Sequence, residues 1–191
     1  MNGDTDPEAR ALLHDLRLRG MTSAVDERAV ETLVAGGLAA RKGSILALTS
    51  RGRETAEARA RLAEGSDEEA AARRAYESFL PLNCELLQVT TDWQVRPGNV
   101  PNDHDDQAYD WCVIDRLKAL DERAAPIVRR LARAVERFGG YRDRLRAALA
   151  RVEDDEPDWF ASPRCDSYHT VWMQLHEDLL LALGLERAEE T

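Results

Sequence analysis

Apolar residues recur every three or four positions along most of the chain, the spacing of helices that bury one face. The first such stretch is PEARALLHDLRLR, residues 7–19. Pro7 suits a first helical turn, Ala11, Leu12, Leu16 and Leu18 supply an apolar stripe, and Gly20 ends it. A second helix fits residues 24–35, with Val30, Leu33 and Val34 inward and Gly36-Gly37 as the terminator. The period then changes. Residues 38–40 and 45–48 read as two short strands around the tight turn Arg41-Lys42-Gly43-Ser44. Thr49 or Ser50 can cap a helix over about residues 52–63.

Beyond residue 63 the helical period returns. EGSDEEAAA, residues 64–72, reads as a linker or as a helix start capped at Ser66, with Glu69 three residues on. Helices are expected over residues 68–80, stopping near Pro81, and over 82–95, with Leu82, Leu86, Leu87, Thr90 and Trp93 on overlapping faces. RPGNVPNDHDD reads as a loop broken by Pro97, Gly98 and Pro101. Further helices fit residues 105–122 (Tyr109, Cys112, Val113, Leu117, Leu120), 125–138 (Ile127, Leu131, Val135, Phe138), 141–152 and 166–183.

Charge divides the chain at the same place. The net charge is −10, which argues against nucleic acid as a partner. Residues 1–65, however, carry ten acids and ten bases, so the whole excess falls on residues 66–191. A neutral N-terminal part and an acidic body point to two parts with different jobs. No apolar run reaches the roughly 18–20 residues that cross a bilayer, and MNGDTDPEAR has no apolar core of a signal peptide. Cys84, Cys112 and Cys165 form no CxxC pair and read as reduced thiols. A cytoplasmic protein with no membrane partner is expected.

The order helix, helix, hairpin, helix resembles a winged helix-turn-helix. The resemblance is most specific in GGLAARKG and LALTSRGRE, where Gly37, Leu38, Leu48, Thr49 and Gly52 stand where MarR-like and PadR-like transcriptional regulators close the recognition helix, build the wing and enter the next helix. It covers roughly residues 8–63. It implies a winged-helix-like domain with a two-stranded wing over residues 1–65, DNA as partner, and a homodimer. The sequence departs from the pattern in one respect, because Met21 to Ser23 leave no room for a full middle helix. The presumed recognition helix also opens with Asp26 and Glu27, whose carboxylates meet phosphate repulsion. Arg28, Arg41, Lys42, Arg51 and Arg53 are the candidate DNA contacts. A degenerate winged helix used for packing or dimerisation is the competing reading. The C-terminal half resembles the helical part of uncharacterised actinobacterial regulator-like proteins in FLPLNCELL, NDHDDQAYD and SYHTVWMQLHEDLL, a likeness that implies no chemistry.

Three polar groups in residues 66–191 are candidates for a site. The first is Asn102-Asp103-His104-Asp105-Asp106 with Asp110, which reads as N-cap chemistry with acids on the helix dipole, or as a ligand cluster. The second is the face of the last helix that carries His169, Trp172 and His176. The two histidines are seven residues apart, about 10 Å along the axis, so they cannot share one metal as an HExxH pair does. They read as buried neutral imidazoles or as the rim of an effector pocket. The third is the run of eight arginines over residues 129–151, opposed only by Glu136 and Asp143. It reads as a solvated face or a phosphate contact.

The expected fold is therefore mainly α, a winged-helix-like domain (1–65) followed by a C-terminal helical bundle (66–191). The expected function is a DNA-binding transcriptional regulator whose bundle senses a small-molecule effector or dimerises. The effector would sit near His104, Asp105, Tyr109, His169, Trp172 and His176 and change the spacing of two DNA-binding domains. The rival is an enzyme or small-molecule-binding protein that uses this polar interior and keeps a vestigial winged helix. No sequence signature names a cofactor or a metal.

Overall fold

The computed structural model describes residues 6–22 and 26–186. The first two residues of the helix expected over 24–35 lie outside the described residues. The chain is mainly helical with a small antiparallel sheet. It divides into two compact units, residues 1–62 with 180–191, and residues 63–179.

In the first unit, α1 (Pro7–Arg19) starts at Asp6, whose carboxylate accepts from Glu8 N–H, and stops at Gly20 with φ +82°. β1 (Met21–Thr22) follows, then α2 (Glu27–Ala35), capped by the Asp26 carboxylate on Ala29 N–H at 2.9 Å. β2 (Ala39–Lys42) and β3 (Ile45–Leu48) form the hairpin, and α3 (Ser50–Ala60) leaves it. β3 lies between β1 and β2, antiparallel to both, with Leu46 opposite Thr22 and Arg41. Where a middle helix has no room, the chain thus spends Met21 and Thr22 on an edge strand.

The core of this unit is Leu13, Leu16, Val30, Leu33, Leu46 and the small residues Ala9, Ala29, Ala39 and Ala56. In α1 the buried row is Ala9, Leu13 and Leu16. At 100° per residue Ala11 and Leu18 fall on the opposite side, so the stripe expected through them is displaced. Val34, expected inward, is exposed, and Ala29 takes its place.

The second unit is built on two long helices, α4 (Asp67–Gln94) and α5 (Gln107–Ala134), joined by a small hairpin of β4 (Val95–Arg96) and β5 (Val100–Pro101). The start of α4 is the expected one. Ser66 Oγ accepts from Glu69 N–H, and the Glu69 carboxylate accepts from Gly65 N–H. The expected break at Pro81 does not occur, nor does the separation between helices 105–122 and 125–138. Pro81 and Pro126 both lie inside helices and both are exposed. The carbonyls that each leaves without a donor, Glu77 and Glu122, belong to exposed residues and reach water. That lowers the usual cost of an interior proline, about 3 kcal/mol. The remaining cost is offset by the buried row on the opposite face, Phe79, Leu82, Leu86, Val89 and Trp93 in α4, and Leu117, Leu120, Val128 and Leu131 in α5.

A 3₁₀ turn (Glu136–Phe138), α6 (Tyr141–Glu153), the one-turn α7 (Asp158–Ala161) and α8 (Tyr168–Leu183) complete the chain. From Leu180 on, α8 belongs to the first unit. There the Ala182 carbonyl accepts from Leu62 N–H, and the Gly184 carbonyl from Arg61.

Candidate functional site

The residues that carry the resemblance in the first unit form one tight joint. Gly37, at φ +67°, turns the chain out of α2, and Leu38 N–H bonds back to the Leu33 carbonyl at 2.8 Å. Thr49 closes the other side. Its N–H donates to the Leu38 carbonyl, its hydroxyl donates to the Gly37 carbonyl at 2.8 Å, and the same oxygen accepts from Gly52 N–H. Gly52 presses against Leu38, where a Cβ would stand 1.8 Å from the carbonyl oxygen. Only glycine allows that approach.

This joint aims the basic side chains. Arg41 and Lys42 end β2 at the hairpin tip, and Arg51 and Arg53 begin α3; all four are exposed. Lys42, Arg51 and Arg53 have no side-chain partner among the described residues. Arg41 is bonded through Nη1 to the Glu27 carboxylate and through Nε to the Gly43 carbonyl. Arg28 is 84% exposed and approaches Asp6 only at 4.0 Å. A cavity of about 290 Å³ is lined by Leu16, Arg17, Gly20, Ala47, Leu48 and Arg53.

In the second unit His104 sits at φ +63°, a conformation rare for a residue with a side chain. Asn102 organises the turn. Its amide donates to the Trp93 carbonyl and to Asp110 Oδ1 at 2.7 Å, which uses both of its hydrogens. His104 Nδ1, 2.9 Å from Asp110 Oδ2, must therefore be the donor to the carboxylate. Nε2 has no partner among the described residues. The imidazole lies 4.4 Å from the Trp93 ring, and Trp93 stacks on Phe160 at 4.3 Å. Neighbouring groups serve structure. Asp106, not Asn102 or Asp103, is the N-cap of α5, accepting from Tyr109 N–H. That bond, with the Arg96 guanidinium beside it, holds the Asp106 carboxyl below its ordinary pKa. The Tyr109 hydroxyl donates to the Asp92 carbonyl and its ring lies under Arg96. Asp105 is exposed.

His176 and Trp172 belong to a packed core. Both are at most 1% exposed. Trp172 stacks on Phe79 at 4.5 Å and donates its indole N–H to Asn83 Oδ1 at 3.0 Å. His176 lies between Phe79 and Tyr76. His169 is half-buried at the start of α8, and burial lowers its pKa. The structure does not bring His104 together with this group. His104 meets α4 at Trp93 and Trp172 meets it at Asn83, ten residues and about 15 Å away along the helix.

The arginine run splits into two populations. Arg142 makes a two-pronged pair with Asp121 at 2.5 and 2.8 Å, and the Tyr168 hydroxyl donates to the same carboxylate. Arg137 pairs with Asp178, which also accepts from the Tyr141 hydroxyl. Arg144 bridges Gln174 and Asp166. Burial, with the adjoining carboxylates second, raises the pKa of both tyrosines, so they stay protonated donors. Arg129, Arg130, Arg133 and Arg146 are exposed. Asp121, Asp178, Asn83 and Gln174 carry no sequence signature. They look like any polar residue on an amphipathic helix, and only tertiary pairing distinguishes them.

No group of three or more His, Cys, Asp or Glu among the described residues is placed to hold a metal ion, and no helix among them is long and apolar enough to cross a membrane. The chain matches no family model, no curated protein and no solved structure.

Proposed function

We propose that the protein is a DNA-binding transcriptional regulator, with residues 6–62 acting as a winged helix that lacks its middle helix. One observation carries this reading. Gly37, Leu38, Thr49 and Gly52, four of the five residues on which the resemblance rests, meet in a single joint that sets a hairpin between α2 and α3. In that arrangement α2 approaches the major groove, and Arg41, Lys42, Arg51 and Arg53 take phosphates. A homodimer in the cytoplasm belongs to the same proposal. The helical unit serves as its sensing or dimerisation part. His104 is the better effector contact, since Trp172 and His176 are already packed against Phe79, Tyr76 and Asn83, and Tyr109 is held by Asp92 and Arg96.

The test is selection of binding sites from a random duplex library by the purified protein, followed by titration with salt. Enrichment of a palindromic site, lost in Arg41→Glu/Lys42→Glu, supports the proposal. No binding at low salt sinks it. The second reading, an enzyme or small-molecule-binding protein, is favoured by the oriented His104–Asp110 pair, whose Nε2 is open. It predicts that His104→Gln abolishes function with folding intact while DNA binding is absent in the parent.

A further inference from the structure

The outward face of α2 carries Glu27, Arg28 and Glu31, and its inward face Ala29, Val30 and Leu33. Two carboxylates at the start of a helix that should approach DNA need an explanation. Asp26 has one, because its carboxylate is occupied as the N-cap. Glu27 is held differently. Arg41 of the hairpin bonds to its Oε1, and Oε2 has no partner among the described residues. The guanidinium, bonded through Nη1 and Nε, orients the carboxylate and offsets its charge, while Nη2 has no partner among the described residues and is left for a phosphate. What remains is an oriented acceptor with no donor of its own.

We infer that Glu27 is a specificity-determining residue that accepts a hydrogen bond from a cytosine amino group in the major groove. This rests on the DNA-binding reading above. The chemistry selects cytosine among the bases. Guanine and thymine present only acceptors on that edge, which repel a carboxylate, and the amino group of adenine is flanked by the N7 acceptor. Glutamine can donate and accept at once, which suits adenine.

The experiment is site selection from a random duplex library with the full chain, its Glu27→Gln variant and its Glu27→Ala variant, with thermal melts as folding controls. The parent is expected to fix a cytosine at one half-site position. Glu27→Gln moves that position to adenine, Glu27→Ala loses the preference there, and the other positions are kept. The parent's discrimination at that position, roughly tenfold, falls towards unity in Glu27→Ala. An unchanged site in both variants, with tighter binding to every sequence, would show that the carboxylate only repels phosphate, and it overturns the inference while leaving DNA binding standing. A parent that enriches nothing removes the DNA reading and this inference with it.

Discussion

Arginine does opposite jobs in the two units. In the helical unit Arg137, Arg142 and Arg144 reach carboxylates and amides that are nearly or fully buried, and each closes a contact between helices. In the first unit Arg51, Arg53 and Lys42 are exposed on short elements, with no side-chain partner among the described residues. A count of charges cannot tell these apart. The difference lies in what surrounds them, since a buried Asp121 needs a cation whereas an exposed hairpin residue needs none. Arg137, Arg142 and Arg144 are therefore spent on structure, whereas Lys42, Arg51 and Arg53 remain available for a partner.

The comparison breaks most visibly if a buried pair is cut. Asp121→Ala leaves Arg142 and the Tyr168 hydroxyl without their shared acceptor and should cost about 3–5 kcal/mol in denaturant unfolding. A loss under 1 kcal/mol would show that the pair is ornamental. Next comes the joint of the first unit. Gly52→Ala drives a Cβ into the Leu38 carbonyl and should cost roughly 2–3 kcal/mol, with hydrogen exchange accelerated in β2, β3 and α3. Thr49→Ala removes the cap of α3 and the bond to Gly37 and should cost about 1 kcal/mol. Arg41→Glu/Lys42→Glu changes exposed residues and should leave stability within about 0.5 kcal/mol.

The smallest effect is that of pH on His169. Burial lowers its pKa, so below about 6.5 the unfolded chain takes up a proton that the folded chain resists. Its contribution is present above that pH and is lost as pH falls towards the lowered value. His169→Gln should unfold with less dependence on pH between 7 and 5 than the parent, and equal slopes would count against the burial.

Local chemistry was legible wherever it is written in adjacent residues. The Ser66–Glu69 cap, the hairpin turn and the Thr49 cap of α3 all use short-range signals that no tertiary context overrides. Pro81 was misleading because an interior proline costs less where its orphaned carbonyl lies on an exposed face, and which face is exposed depends on packing. The same dependence explains Val34 and Leu87, apolar residues that end up exposed at helical spacing. The pair His169 and His176 was visible as a pattern. Its division into a half-buried ring and a buried ring packed on Phe79 and Tyr76 was not, because both aromatic partners lie about a hundred residues away on α4. Asn102 was legible only as a capping residue. Its role as the hub that fixes the His104 tautomer depends on Trp93 and Asp110 converging on it.

The most direct test of the central claim, that the exposed bases of the first unit grip phosphates, is the slope of log Kobs against log salt for duplex DNA. Four phosphate contacts from Arg41, Lys42, Arg51 and Arg53 predict a slope of roughly −3 to −4 per bound chain, and Arg41→Glu/Lys42→Glu should reduce its magnitude by about 2. Binding that is absent at low salt, or a slope that the double substitution leaves unchanged, would contradict the account.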